Sequence, residues 1–176
     1  MSYKTAIIAT NTAGSGTDSP ISTGTEYNMT CQSFITTTKT KFVTKCIMSL
    51  AAGSNSTGAL TCSLHLADGN HHPTGDSLGS KAHDALPGGF SGDVTFEFDS
   101  PIAVNASTLY VFTLYNSGHD NNICKVGYAW TGGTYAYGRF DKRQRMGGSW
   151  EMSTGHDQFF YTYGLVKKNS SLFVAS

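Results

Sequence analysis

Histidine and aspartate recur in the predicted loops of this chain, and both side chains can bind divalent metal ions. Their spacing matches no defined metal-binding loop, so we interpret them as solvated loop tips and predict neither a metal nor a cofactor. If one metal site exists, a single loop would supply its ligands. The members of that loop are Asp68, Asn70, His72 and Asp76.

Hydrolytic catalysis would need a positioned nucleophile or a pair of carboxylates. Serine, histidine and aspartate are all present, but no serine lies in a G-x-S-x-G turn. Acidic residues are few, and Glu97 falls on the predicted outer face of its strand. We therefore predict no catalytic residues and a protein that is not an enzyme.

An aromatic group follows residue 127, and flat rings on a sheet can stack on sugar rings. Alternation places Tyr128 and Trp130 on one face of their strand. Core packing is the usual role of strand aromatics and is the favoured interpretation. Sugar binding is the alternative, and its candidate contacts are Tyr128, Trp130, Tyr135 and Tyr137.

The densest run of charge is Asp141–Arg145, which includes Lys142, Arg143 and Arg145. One interpretation is a solvated hairpin tip. The other is a loop that contacts a neighbouring subunit, because arginine pairs in a bidentate manner with carboxylates.

The chain has 176 residues, a formal net charge of +0 and only 14% charged residues. Nucleic-acid-binding proteins usually carry a basic excess, so we predict no nucleic-acid partner. No run approaches the roughly 18 apolar residues of a membrane span, and we expect no membrane association. The first ten residues lack a long apolar signal region, so we expect synthesis and folding in a host cytoplasm.

The four cysteines, Cys31, Cys46, Cys62 and Cys124, are too far apart for CxxC chemistry and lie in strand-like segments. We predict free buried thiols, with one disulfide as the alternative.

Two alternating apolar runs flank a polar bend in the segment from Val94 to Tyr115. Period-two alternation predicts strands, and the bend predicts an antiparallel return. Further strands are predicted at 3–10, 28–35, 41–52, 59–67, 93–99, 108–116, 123–131, 134–140 and 158–166, with a short one near 78–84. No long run has the helical period.

These strands predict an all-β fold, a two-sheet antiparallel β-sandwich of jelly-roll-like connectivity. We expect an N-terminal strand and flexible, extended arm over residues 1–26, the sandwich over 27–166 and a tail over 167–176.

The order of motifs also resembles a known module. It runs through C-Q-S-F at 31–34, F-V-T-K-C-I-M-S-L at 42–50, T-G-A-L-T-C-S-L-H-L-A-D at 57–68, G-Y-A-W at 127–130, G-G-S-W at 147–150 and D-Q-F-F-Y-T-Y-G at 157–164. This resembles a β-sandwich module that recurs in bacteriophage virion proteins and bacterial surface proteins.

The resemblance implies a non-enzymatic virion protein, a capsid decoration or cement protein that bridges neighbouring subunits. Its expected partners are the major capsid protein or other virion proteins, and a homotrimer is favoured. The arm would contribute Tyr3, Ile7 and Ile8 to these contacts. The alternative is a carbohydrate- or receptor-binding module of a tail fibre or a cell-surface protein.

Overall fold

Alternating apolar and polar side chains form antiparallel strands along the chain in a computed structural model. The structure describes residues 2–11, 19–20, 29–53, 58–118, 124–126, 128–129, 139–143, 149–152, 157–158 and 160–168. Those residues include no helix. These residues therefore contain no long apolar helix of the kind that spans a membrane.

Fourteen strands lie in the described residues. They are β1 (Tyr3–Asn11), β2 (Ser19–Pro20), β3 (Met29–Ile35), β4 (Thr40–Ala52), β5 (Leu60–Ala67), β6 (Pro73–His83), β7 (Ser91–Ala103), β8 (Leu109–Asn116), β9 (Cys124–Val126), β10 (Tyr128–Ala129), β11 (Phe140–Arg143), β12 (Trp150–Met152), β13 (Asp157–Gln158) and β14 (Phe160–Lys167).

The strands form two six-stranded antiparallel sheets. The first sheet has the order β1-β14-β4-β9-β2, and β7 pairs with the other side of β4. The second sheet has the order β12-β11-β3-β8-β5-β6, and β10 pairs with β13 in a separate ribbon.

The long strands have jelly-roll connectivity. They run in the order β1-β14-β4-β7 in the first sheet and β3-β8-β5-β6 in the second. From β3 to β8, each strand crosses to the opposite sheet except at the β5–β6 hairpin. The predicted all-β, jelly-roll-like sandwich is confirmed.

Two local expectations are wrong. The strands on either side of the Pro101 bend do not pair with each other, because β7 joins the first sheet and β8 joins the second. The short strand expected near 78–84 is the 11-residue β6, whose pairing with β5 shifts register between Leu64 and Leu66.

The N-terminal segment is part of the sandwich at residues 3–11. The strand expected at 3–10 is present as β1, and it pairs with β14 of the same chain from Tyr3 to Asn11. Residues 3–11 therefore belong to the sandwich, and most of the arm expected over residues 11–26 lies outside the described residues. The first and last long strands adjoin, which is what the jelly-roll order requires.

Phenylalanine side chains from both sheets fill the space between them. Phe34 of β3 stacks on Phe112 of β8, with ring centroids 4.9 Å apart. Phe98 of β7 and Phe160 of β14 approach these rings from the first sheet, at centroid distances of 6.4 Å. All four are buried. Aromatic burial on this scale supplies a large part of the energy that holds two sheets together.

Gly164 of β14 is required by a close backbone approach. A Cβ atom at this position would overlap the carbonyl oxygen of Phe42 on the neighbouring strand and crowd Ile8. The rigid backbone of β4 cannot move aside easily.

We predict that Gly164→Ala lowers the free energy of unfolding by about 2 kcal/mol or more, because it overpacks the interior. Urea denaturation measures the change. The matched control is Gly69→Ala, where an added Cβ meets nothing within 4 Å. Equal stabilities of the two variants would contradict the close approach.

Candidate interaction surfaces

The outer face of the first sheet carries a row of large apolar side chains. On β14, residues 160, 162, 164 and 166 are buried, so Tyr161, Tyr163 and Leu165 point outward and remain partly exposed. Neighbouring strands add their own outward residues in register. We call this surface the apolar face and define it as Tyr3, Ile7, Phe42, Ile47, Tyr161, Tyr163 and Leu165.

The apolar face is ordered by contacts between its own side chains. The rings of Tyr3 and Phe42 meet edge to face, with centroids 5.7 Å apart. The Lys45 Nζ lies 4.6 Å from the centroid of the Tyr163 ring, within cation–π range. Ile7 is 50% exposed and Tyr3 is 37% exposed. The face therefore presents rigid aromatic and aliphatic surface to its surroundings.

Polar and charged side chains border this apolar area. On β7, Glu97 pairs in register with Lys45, and Thr95 pairs with Ile47. Both β7 residues are exposed. Lys167 of β14 is exposed beside Tyr3. An apolar centre within a polar rim is the usual composition of a protein–protein contact.

Two of the three predicted N-terminal contact residues lie on the apolar face. Tyr3 and Ile7 are exposed there, but Ile8 is only 6% exposed and belongs to the core. The inclusion of Ile8 is therefore wrong, because successive strand residues point to opposite faces. The pairing with β14 is also irregular between Ile7 and Ala9.

We did not predict from the sequence that the outward residues of β4 and β14 form part of this surface. Their signal was present, because both sets of alternate positions in F-Y-T-Y-G-L-V contain large apolar or aromatic side chains. A strand of that kind has an outer face that is apolar as well as an inner one.

The outer face of the second sheet differs from that of the first, because a loop of the same chain covers part of it. Cys31, Ser33 and Val111 point away from the core, yet each is at most 1% exposed. The loop after β5 lies over this area. Its His71 Nδ1 is 2.9 Å from the Ser33 Oγ. Burial lowers the pKa of His65 on β5, although hydrogen bonding with the backbone of Gly75 and Asp76 acts in the opposite direction.

A buried carboxylate fastens this covering loop to β11. The Asp141 side chain is fully buried and accepts a hydrogen bond of 2.8 Å from the His72 Nε2. Its Oδ1 accepts a hydrogen bond of 3.0 Å from the Arg139 Nε, which also lies 2.9 Å from the Oδ2. We call these three residues the Asp141 network. Its two donors keep the buried negative charge hydrogen-bonded, which a dry interior requires.

Asp68 closes the loop itself. Its Oδ1 accepts hydrogen bonds from the backbone N–H groups of Asn70 and His72, at 2.8 and 2.9 Å. Although desolvation acts in the opposite direction, these two N–H groups together with the nearby His72 and His71 hold the pKa of the Asp68 carboxyl below its usual range. His71 has the left-handed φ of 68° that the tight turn imposes.

The candidate metal ligands do not converge. Over the described residues, no group of three or more histidine, cysteine, aspartate or glutamate side chains is placed to hold a metal ion. The Asp68 carboxylate faces its own backbone, and His72 faces Asp141.

Ser33 and His71 form a serine–histidine contact beside the Asp141 network. The Ser33 Oγ is buried and accepts a hydrogen bond of 2.8 Å from the Arg139 N–H. Ser33 and Arg139 also pair through the Ser33 N–H and the Arg139 carbonyl. A hydroxyl enclosed in this way joins β3 to the start of β11.

The predicted basic tip is described only in part. The Arg143 guanidinium carbon lies 5.5 Å from the Trp150 ring centroid, and the His72 ring stacks on Trp150 at 5.5 Å. The structure describes Lys142 by its backbone alone, and Arg145 lies outside the described residues. Arg143 is thus held against an aromatic ring next to the Asp141 network.

Most of the sugar-binding candidates fall outside the described residues. These are Trp130, Tyr135 and Tyr137, while Tyr128 is described by its backbone in β10. Their role stays a prediction.

Three of the four cysteines have the predicted state. Cys31, Cys46 and Cys62 are buried free thiols. Burial raises the pKa of the Cys31 and Cys46 thiols, which keeps them protonated and unreactive. The structure does not describe the Cys124 side chain.

Comparison of the sequence with protein-family models gave no match, and a comparison with curated proteins gave none either.

We predict that Asp141→Ala lowers the free energy of unfolding by about 2–3 kcal/mol, because it leaves Arg139 and His72 without their buried acceptor. Thermal or urea unfolding measures this. The control is Asp99→Ala, which removes an exposed carboxylate paired with Lys81 and should leave stability almost unchanged. A loss no larger than that of the control would mean that the Asp141 network does not fasten the loop.

Proposed function

We propose that this chain is a non-enzymatic structural protein that binds other protein subunits through its apolar face. The observation that carries the proposal is the contrast between the two sheets. The chain's own loop covers part of the outer face of the second sheet, whereas Tyr3 and Ile7 on the first sheet are exposed and their outward neighbours on β4 and β14 are partly exposed. A contiguous apolar surface with a polar rim is typical of a site of protein association.

The composition of the apolar face favours a protein partner. Tyrosine and phenylalanine supply large contact area with few rotatable bonds, so little conformational entropy is lost when they are buried. The backbone beneath them is the paired centre of a sheet, since β14 lies between β1 and β4. Such a surface is organised for binding before a partner arrives.

The polar clusters support a non-enzymatic role. The Asp141 carboxylate and the Ser33 hydroxyl are both fully buried, and their partners are other groups of the chain. A catalytic group must reach its substrate, and these groups join strands and a loop instead.

Within this class, we assign the chain to a bacteriophage virion as a capsid decoration or cement protein. The resemblance of its motifs to a virion module supports this assignment, and the jelly-roll connectivity agrees with it. The expected assembly is a homo-oligomer, with a trimer favoured, attached to capsid or other virion subunits. Strand exchange by residues 3–11 is not part of this mechanism, because β1 belongs to the chain's own sheet.

The virion assignment predicts that antibodies raised against the purified chain label intact phage particles from the source culture. Immunogold electron microscopy provides the measurement, and particles of an unrelated phage provide the control. Absence of label on every particle type in the culture would contradict the assignment.

The apolar face predicts a specific loss of association. The double variant Ile47→Ser/Leu165→Ser removes two aliphatic side chains from the centre of the face, so it should shift the chain toward the monomer or release it from its partner. Light scattering of the purified chain and sedimentation with particles give the two readings.

The matched control is Leu78→Ser. Leu78 is 42% exposed but lies on β6 of the second sheet, away from the apolar face. Association that is equally affected by the control and by the double variant would mean that general surface hydrophobicity, not this face, drives it. Circular dichroism melts confirm that each variant is folded.

A further inference from the structure

A groove with an excess of positive charge is lined in part by β1, the end strand of the first sheet among the described strands. It has a volume of about 620 Å³, and its four lysines come from three separate parts of the chain: Lys4 from β1, Lys39 from the turn before β4, and Lys167 and Lys168 from the end of β14. Two backbone hydrogen bonds hold these parts together. The Lys167 N–H donates to the Lys39 carbonyl, and the Lys168 N–H donates to the Ser2 carbonyl.

Among the described residues, no carboxylate compensates the charge of this groove. Its described lining includes no acidic residue, and all four lysines are exposed. Throughout the described part of the chain, no carboxylate lies within ion-pair distance of any of them. In a chain of zero net charge, four unpaired positive charges around one groove create a local field that attracts anions.

The edge of β1 offers backbone hydrogen bonds at the same place. Among the described strands, β1 pairs only with β14 and forms the end of the first sheet. Its regular pairing extends from Tyr3 to Ile7, before the irregularity at Ile7–Ala9. This free edge is about 17 Å long, enough for a short added strand.

We propose that this groove binds an extended, acidic peptide segment of a partner protein, added as a strand to the edge of β1. The lysines would pair with its carboxylates, and the β1 backbone would pair with its N–H and C=O groups. Ala6 and Val166, which also line the groove, would contact an apolar side chain of the segment.

Two features favour an acidic peptide over other occupants. Lysines beside a free edge repel the same edge of a second copy, so self-pairing is disfavoured there. A nucleic acid could meet the positive charge, but it has no backbone that continues a β-sheet. The groove shares Ile7 with the apolar face and Lys167 with its rim, but the inference rests on the four lysines and the β1 backbone and not on the exposed apolar side chains.

The test uses the full chain and a fluorescein-labelled peptide of about seven residues that alternates glutamate and valine, long enough to span the edge. Fluorescence anisotropy should show saturable binding. The variant Lys4→Glu/Lys39→Glu should weaken it by about tenfold or more, because two attractive charges become repulsive. Lys41→Glu is the matched control, since Lys41 is exposed on β4 but does not line the groove.

A second peptide with proline at its central valine separates strand addition from simple charge attraction, because proline lacks the N–H group that pairs with β1. It should bind much more weakly. Equal binding of the two peptides, no binding to the wild-type chain, or no effect of the lysine reversal would overturn the proposal. Stronger competition by oligothymidylate than by the unlabelled peptide would assign the groove to nucleic acid and also overturn it.

The apolar-face variant Ile47→Ser/Leu165→Ser should bind the peptide as the wild type does. A failure of the groove proposal can therefore be distinguished from a failure of the apolar-face proposal.

Discussion

The phenylalanine cluster between the two sheets is the interaction on which the rest of this structure depends. Phe34 and Phe112 of the second sheet stack on each other and meet Phe98 and Phe160 of the first sheet. Because side chains alternate along a strand, burying these rings also determines which residues point outward on both sheets. A one-residue slip of any of these strands would move its phenylalanine out of the core.

That alternation gives the two sheets different outer faces. On the second sheet, Cys31 and Val111 point outward but are buried, and the Asp141 network holds the covering loop in place through His72. On the first sheet, the outward residues of β14 remain partly exposed. A sandwich with one partly covered face and one open apolar face is suited to attachment, since the open face can be buried against another subunit without rearranging the core.

The sequence allowed the fold class and most strand positions to be predicted, because period-two alternation is a local signal. The predicted strand at 59–67 and the observed β5 differ by one residue at one end. Partners of strands depend on distant residues, so the separation of β7 from β8 was not visible at the Pro101 bend. His71 contacts Ser33 although the two residues are 38 positions apart in the sequence. The local sequence around each of them therefore could not predict this contact. The lysine groove was missed for the same reason, since Lys4, Lys39 and Lys167 meet only after β1 pairs with β14.

We propose that the apolar face is buried against another protein subunit in the native assembly. Electron cryomicroscopy of that assembly tests this most directly, because it shows which surface of the sandwich meets its neighbours. The account predicts that Ile47, Tyr163 and Leu165 lie in a contact with a second protein subunit. A particle in which this face is open to solvent, while the chain is attached by another surface, would contradict it.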